Sequence, residues 1–129
     1  ARRIQGWQGT GLNAVGIKQA EVAARRISSN WEIDAIVSSD IKRAHQTALA
    51  VARKLKKRVK KSELARERRF GEWEGKNIQE VLDSYKLDAS QKRDPFLSFE
   101  PRGGESMKRF DRRMEQLLKS IEKDFTGKT

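Results

Sequence analysis

Four segments of this chain combine residue types that could hold an anion or move a proton. Ser38-Ser39-Asp40-Ile41-Lys42-Arg43-Ala44-His45-Gln46-Thr47-Ala48 follows a short β-rich run, Ile33–Val37, and opens into a helix start. Free N–H groups and the positive end of the helix dipole favour an anion there. Arg43, in the first turn, would add a planar fork of donors suited to phosphate oxygens. The segment Glu67-Arg68-Arg69-Phe70-Gly71-Glu72-Trp73-Glu74-Gly75 sets carboxylates among arginines, and its glycines and aromatics break any helix or strand period. A carboxyl beside a phosphate has its pKa raised by the neighbouring anion, so it could serve as a general acid. Arg3-Ile4-Gln5-Gly6-Trp7 and Pro101-Arg102-Gly103-Gly104-Glu105-Ser106 are glycine-containing loops beside helices, with Ser106 a candidate N-cap. Taken one by one, these segments read more simply as a surface arginine on an ordinary helix and as solvated ion-pair loops.

Two other features are weighed on the same terms. His45 is the only imidazole. At about 100° per residue it points about 200° from Arg43 on one helix, so the two should not share a pocket. It reads as a partly exposed or structurally bonded helix histidine, not a nucleophile. The stretch Arg53-Lys54-Leu55-Lys56-Lys57-Arg58-Val59-Lys60-Lys61 invites nucleic acid. No aromatic residue interleaves it and it straddles a helix end, so a solvated helix terminus is the better reading.

The composition bounds the chemistry. With 29 Lys and Arg against 18 Asp and Glu the net charge is +11. The absence of cysteine excludes disulfides, a thiolate nucleophile and Cys-ligated metal. A single histidine excludes a His-rich metal site and any reaction needing two histidines from these residues. A length of 129 residues predicts one domain, residues 1–129. No run approaches the roughly 18 apolar residues of a membrane span, and the first residues lack the apolar stretch of a signal peptide. A cytoplasmic protein without a membrane partner is the expectation. Hydrophobic and charged residues each make up 36%, which suits amphipathic helices with little buried sheet.

The elements that must position these residues follow from periodicity. Ile17, Ala20, Ala24 and Ile27 predict a helix from about Ala14, ended by Ser28-Ser29-Asn30. Ile33–Val37 reads as a strand, with Ser39 or Asp40 capping a helix over about 41–57 whose stripe is Ala44, Ala48, Val51 and Leu55. Val59–Leu64 is a weaker strand, and 65–76 an irregular loop. Ile78, Val81, Leu82 and Tyr85 mark a short helix, and 94–104 a second loop. Met107, Phe110, Met114, Leu117, Leu118, Ile121 and Phe125 mark the last helix, stopped by Gly127. The order implies α/β layering. Two strands are too few to cover three long amphipathic helices, so sheet partners are expected beyond one or both ends.

Together the four segments resemble the histidine phosphatase superfamily, the cofactor-dependent phosphoglycerate mutase-like proteins. In order, Arg3–Trp7 resembles its Arg-x-Gln-Gly loop, and Gly16-Ile17-Lys18-Gln19-Ala20 its Gly-x-x-Gln-Ala helix start. Ser38–Ala48 resembles its Ser-x-Leu-x-Arg-Ala-x-x-Thr-Ala segment, Glu67–Gly75 its Glu-x-x-x-Gly-x-Trp-Glu-Gly loop, and Gly104-Glu105-Ser106 its Gly-Glu-Ser. The resemblance implies a three-layer α/β sandwich with a mostly parallel central sheet and helices on both faces, here lacking central strands at both ends. It also implies phosphomonoester chemistry on a small phosphorylated substrate. A histidine attacks phosphorus in line, and the phosphohistidine is resolved by water or a second substrate, without metal or cofactor. Arg43 matches the arginine that holds the phosphoryl oxygens, and Glu67 the general acid. Arg3, Gln5 and Gly6 match positions bordering phosphate and substrate, while Glu105 and Ser106 are more peripheral.

The departures from the pattern carry as much weight. The family nucleophile lies in an Arg-His-Gly motif before the first loop, and a second histidine in a Ser-His-Gly motif after the last helix; neither motif is in Ala1–Thr129. The chain on its own is therefore expected to be inactive. Gly9 and Gly11 stand where many members have Asp and Pro. The short Asn77–Pro101 insertion favours a phosphatase over a phosphoglycerate mutase. Readings of another class are a non-catalytic scaffold and a basic nucleic-acid-binding module.

Overall fold

The computed structural model describes residues 3–84 and 100–127. The expectations for Tyr85 and for residues 94–99 of the second loop lie outside the described residues. The chain divides into two compact units: Ala1–Gly9 with Glu67–Arg113, and Thr10–Arg66 with Met114–Thr129.

The second unit is built on a βαβ motif. Helix α1 (Ala14–Asn30) starts where the Asn13 side chain accepts the Gly16 N–H at 2.8 Å. It ends where Ser28, Ser29 and Asn30 turn their side chains onto the carbonyls of Arg25 and Arg26. Strand β1 (Ile36–Ser38), helix α2 (Lys42–Leu55) and strand β2 (Val59–Lys61) follow. The strands are parallel, with Ile36 opposite Val59 and Ser38 opposite Lys61. Parallel neighbours require a crossover, which α2 supplies. The core lies between α1 and α2, where the small residues Ala20, Ala24 and Ala50 with Val51 let the helices approach closely. Leu12, Ile27, Ile36 and Leu55 pack around them.

Three local expectations are corrected here. The strand runs Ile36–Ser38 instead of Ile33–Val37, because only these residues find partners on β2. Neither Ser39 nor Asp40 caps α2; Ile41 occupies that position without a side-chain bond. Ser39 Oγ accepts the Ile41 N–H at 3.1 Å, one residue short of the helix. The Asp40 carboxylate is taken by Arg66, whose Nε donates to it at 2.6 Å. That bond, with the Arg66 charge, holds Asp40 below its ordinary 3.8. Finally, α2 stops at Leu55, because Lys56 turns left-handed at φ 53°. The N–H groups of Lys56 and Lys57 then close onto carbonyls of the last turn.

The first unit is organised around Trp73 and Val81, 1% and 3% exposed, with Phe70 and Ile4 against them. The Phe70 and Trp73 rings stack at 6.4 Å. The predicted loop contains the 3₁₀ turn Gly71–Trp73, and a second one, Glu63–Ala65, ends at its first residue. Helix α3 (Ile78–Ser84) begins with a reciprocal cap: Asn77 Oδ1 accepts the Gln79 N–H, and Glu80 Oε2 accepts the Asn77 N–H. Helix α4 (Met107–Asp124) starts as predicted, with Ser106 Oγ accepting the Arg109 N–H at 3.3 Å.

None of the α4 residues is fully buried despite its strong apolar stripe. In the second unit Ile121 and Phe125 of that stripe, with Ala35 and Val37, line an apolar cleft of about 590 Å³. Strands of a parallel sheet are usually covered on both faces; Ile36 and Val37 are only half-buried. Among the described residues, no helix is long and apolar enough to cross a membrane.

Candidate active site

The first unit brings three of the predicted site residues into one cleft. Arg3, Ile4, Gln5, Glu67 and Phe70 line a cavity of about 480 Å³, although Arg3 and Glu67 are far apart in sequence. A short antiparallel pairing makes this possible. Ile4 N–H donates to the Lys76 carbonyl at 2.9 Å, and Gly75 N–H to the Ile4 carbonyl at 2.7 Å. Arg3 bridges to Asn77, and its Nη1 donates to the Gly75 carbonyl at 2.6 Å. A guanidinium carries five N–H donors, so this bond anchors the side chain with capacity left for phosphate oxygens.

Gly6 shapes the next step of the wall. It is buried at φ +51°, and a Cβ there would lie 2.3 Å from Glu74 Oε1. The glycine lets the chain pass over the Glu74 carboxylate closely enough to hydrogen-bond it. Glu74 Oε1 accepts the N–H groups of Trp7 at 3.1 Å and Phe70 at 3.0 Å, and Oε2 accepts that of Gln8 at 3.2 Å. One carboxylate therefore ties the Arg3–Gln8 segment to the Glu67–Phe70 loop, the two walls of the cleft.

Glu67 is exposed, and its backbone is fixed. Its carbonyl accepts Trp7 Nε1–H at 2.7 Å and Arg113 Nη2–H at 3.2 Å. Beside it, Arg68 is 4% exposed and donates from Nε to the Glu105 carbonyl at 2.6 Å. Burial pulls the Arg68 guanidinium below the ordinary arginine range, offset in part by the charge of Glu105. Glu105 holds Arg113 with both oxygens, at 2.8 and 2.6 Å. That fork keeps the Glu105 carboxyl below its ordinary 4.5. A cleft bearing a guanidinium, a carboxamide and a carboxyl has the groups to bind an anion and exchange a proton.

Arg43 belongs to the second unit, in the first turn of α2 and half-buried. Its carbonyl accepts Thr47 Oγ1–H at 3.1 Å. Just before it, Ser38 and Ser39 are buried at the end of β1. His45 lies half-buried on the same helix, and its Nδ1 is buried without a hydrogen-bond partner among the described residues. Two structurally informative residues escaped sequence reading. Glu74 was visible only as one of several loop acids, and the signal for its position is the glycine at Gly6. Arg113 carries no local signal, because its link to Glu67 crosses 46 residues.

The histidine phosphatase superfamily (branch 1) matches residues 1–129. Phosphoglycerate mutase-like protein 4 of Arabidopsis thaliana is 35% identical over 125 residues, covering 93% of this chain and 53% of its own length. Phosphoserine phosphatase 1 of Hydrogenobacter thermophilus is 31% identical over 127 residues, covering 98% of this chain and 60% of its own length. Among solved structures, mycobacterial glucosyl-3-phosphoglycerate phosphatase in complex with inorganic phosphate superposes with a TM-score of 0.78 at 28% identity. It covers 92% of this chain and 56% of that one. The chain thus spans little more than half the length of these relatives. The match runs across both units, on an α/β fold like that of phosphoglycerate mutase-like structures: the chain belongs to branch 1 of the histidine phosphatase superfamily.

Proposed function

We propose that residues 1–129 form part of a single phosphoglycerate mutase-like domain and carry the substrate-side half of a phosphomonoester phosphatase. The observation that carries this reading is the convergence of Arg3, Gln5 and Glu67 on one cleft of about 480 Å³. In this reading Arg3 of the first unit binds phosphate in the cleft, and Arg43 keeps the role that the resemblance implies, holding phosphoryl oxygens, where charge builds during transfer. Gln5 and Gly6 border the phosphate and the rest of the substrate. Glu67 is the general acid.

The nucleophile is a histidine on sequence flanking this segment. Its nitrogen attacks phosphorus as the P–O ester bond breaks, and the leaving alkoxide takes the Glu67 proton. In the second step the Glu67 carboxylate accepts a proton from water, which attacks the phosphohistidine and releases phosphate. The histidine is then free and Glu67 is again protonated. No metal or cofactor takes part. Hydrolysis is preferred to mutase activity because two of the relatives above are phosphatases by name. Both of their named substrates are carboxylate-bearing phosphomonoesters, so a substrate panel begins with that class. A cytoplasmic setting belongs to the same reading.

The test uses the full-length protein. Glu67→Gln is expected to lower kcat/KM for alkyl phosphates about 10²- to 10⁴-fold, the usual worth of a positioned general acid. Residues 1–129 alone are expected to give no turnover. Unchanged alkyl phosphatase activity in Glu67→Gln, or turnover by the isolated segment, would remove the reading.

A further inference from the structure

Glu67 is exposed, and its backbone is held at the carbonyl. A general acid acts only within hydrogen-bond reach of the leaving oxygen, about 2.6–3.2 Å. On an irregular loop, the peptide that carries the Cα–Cβ bond decides whether that reach is met. The peptide after Glu67 is held by its oxygen, which takes one donor from Trp7 and one from Arg113.

Arg113 is itself held from the opposite side. Its Nε and Nη2 donate to the two oxygens of Glu105 in a bidentate fork, and both side chains are only 14% exposed. Its guanidinium carbon also lies 5.1 Å from the Phe110 ring centre. Glu105 in turn is bound to the segment that bears the acid. Its N–H donates to the Arg69 carbonyl at 2.9 Å, and its own carbonyl accepts Arg68 Nε–H at 2.6 Å. The backbone contact has no slack: a Cβ on Gly104 would lie 2.8 Å from the Arg69 carbonyl oxygen. Neither Glu105 nor Arg113 lines the cleft.

The geometry points to Glu105 and Arg113 as a positioning pair that aims the Glu67 carboxyl at the leaving-group oxygen. This gives the Gly-Glu-Ser loop a function in proton delivery, and it rests on the reading of Glu67 as the acid. Arg113 holds the Glu67 carbonyl, and Glu105 fixes the plane of the guanidinium that does so. Lysine cannot replace this arrangement, since an ammonium lacks the planar fork.

Proton delivery leaves a signature that general destabilisation does not. An alkyl phosphate releases a poor alkoxide and needs the acid; para-nitrophenyl phosphate releases a stable phenolate and does not. The readout is kcat/KM for both substrates, which reports the steps through departure of the leaving group. In the full-length protein, Arg113→Met is expected to lose roughly 10- to 100-fold on alkyl phosphate, as for a misplaced reacting group. On para-nitrophenyl phosphate it should stay within about twofold of the parent.

Arg113→Met leaves the Glu105 carboxylate without its guanidinium partner, a loss that can by itself unfold the protein. The double variant Glu105→Gln with Arg113→Met removes both charges and is expected to show the same selectivity. Arg113→Lys should fall between parent and Arg113→Met. Equal losses on the two substrates, or no loss in either variant, would overturn the positioning role. Glu67→Gln is run alongside. If it shows the selective loss and the Arg113 variants do not, only the positioning inference fails. If Glu67→Gln shows no selectivity, the assignment of the acid fails first.

Discussion

The carboxylate of Glu74 accepts backbone N–H groups from Trp7, Gln8 and Phe70, and so joins both walls of the cleft. Bonds from neutral donors to an ionised acceptor are among the stronger hydrogen bonds of a fold, about 1.5–3 kcal/mol each. They are possible only because Gly6 has no side chain at φ +51°. Gly6→Ala is therefore expected to strain the backbone and push Glu74 away, lowering stability by about 1–3 kcal/mol. Thermal melts of the variant against the parent measure this. A melting temperature equal to the parent's would mean that Glu74 moves aside freely. The resemblance identified Gly6 as a position bordering substrate; the structure adds that its smallness serves a neighbouring carboxylate. The motifs that bear Arg3, Gln5 and Glu67 were legible because they are short and contiguous. Glu74 and Arg113 were not, because each acts through backbone atoms of residues distant in sequence.

At the scale of elements, α1, α2, α3 and α4 were legible from apolar period and from the Ser106 cap, since both signals are local. The beginning of α2 was not, because Arg66 competes for Asp40 from beyond β2. The strand limits escaped for a related reason: pairing with a second strand defines a strand, and periodicity within one run does not. The junction of the Gly104–Ser106 loop with the Glu67–Arg69 segment depends on the charge of Glu105. Arg113 holds the folded-state pKa of Glu105 below 4.5. Its contribution is thus complete above that value and fades as pH falls below it. The melting temperature is expected to hold from neutral pH to about 4.5 and then to decline as pH falls further. Glu105→Gln should be less stable at neutral pH and decline less steeply in acid. Asp40, depressed in the same direction by Arg66, leaves some slope in that variant. Parallel curves for the two proteins would show that Glu105 carries no folding-linked proton.

For the molecule as a whole, the low apolar content now has a structural counterpart. β1 is only half-covered, α4 buries none of its residues fully, and an apolar cleft of about 590 Å³ lies beside β1 in the second unit. The charge of +11 resides largely on exposed positions such as Arg53, Lys54, Lys56, Lys57 and Arg58. It is a property of helix surfaces, and Arg3 is the cation that also lines the cleft. The central claim is that Glu67 works on both steps of a phosphohistidine cycle. Acid-stopped, base-stopped and untreated samples of full-length Glu67→Gln, mixed with radiolabelled para-nitrophenyl phosphate, test it most directly. That substrate bypasses the need for an acid in the first step, whereas release of phosphate still needs a base. The account predicts an acid-labile, base-stable phosphoryl-enzyme that accumulates well above the level in the parent protein. No phosphoryl-enzyme in either protein, or equal levels in both, would contradict it.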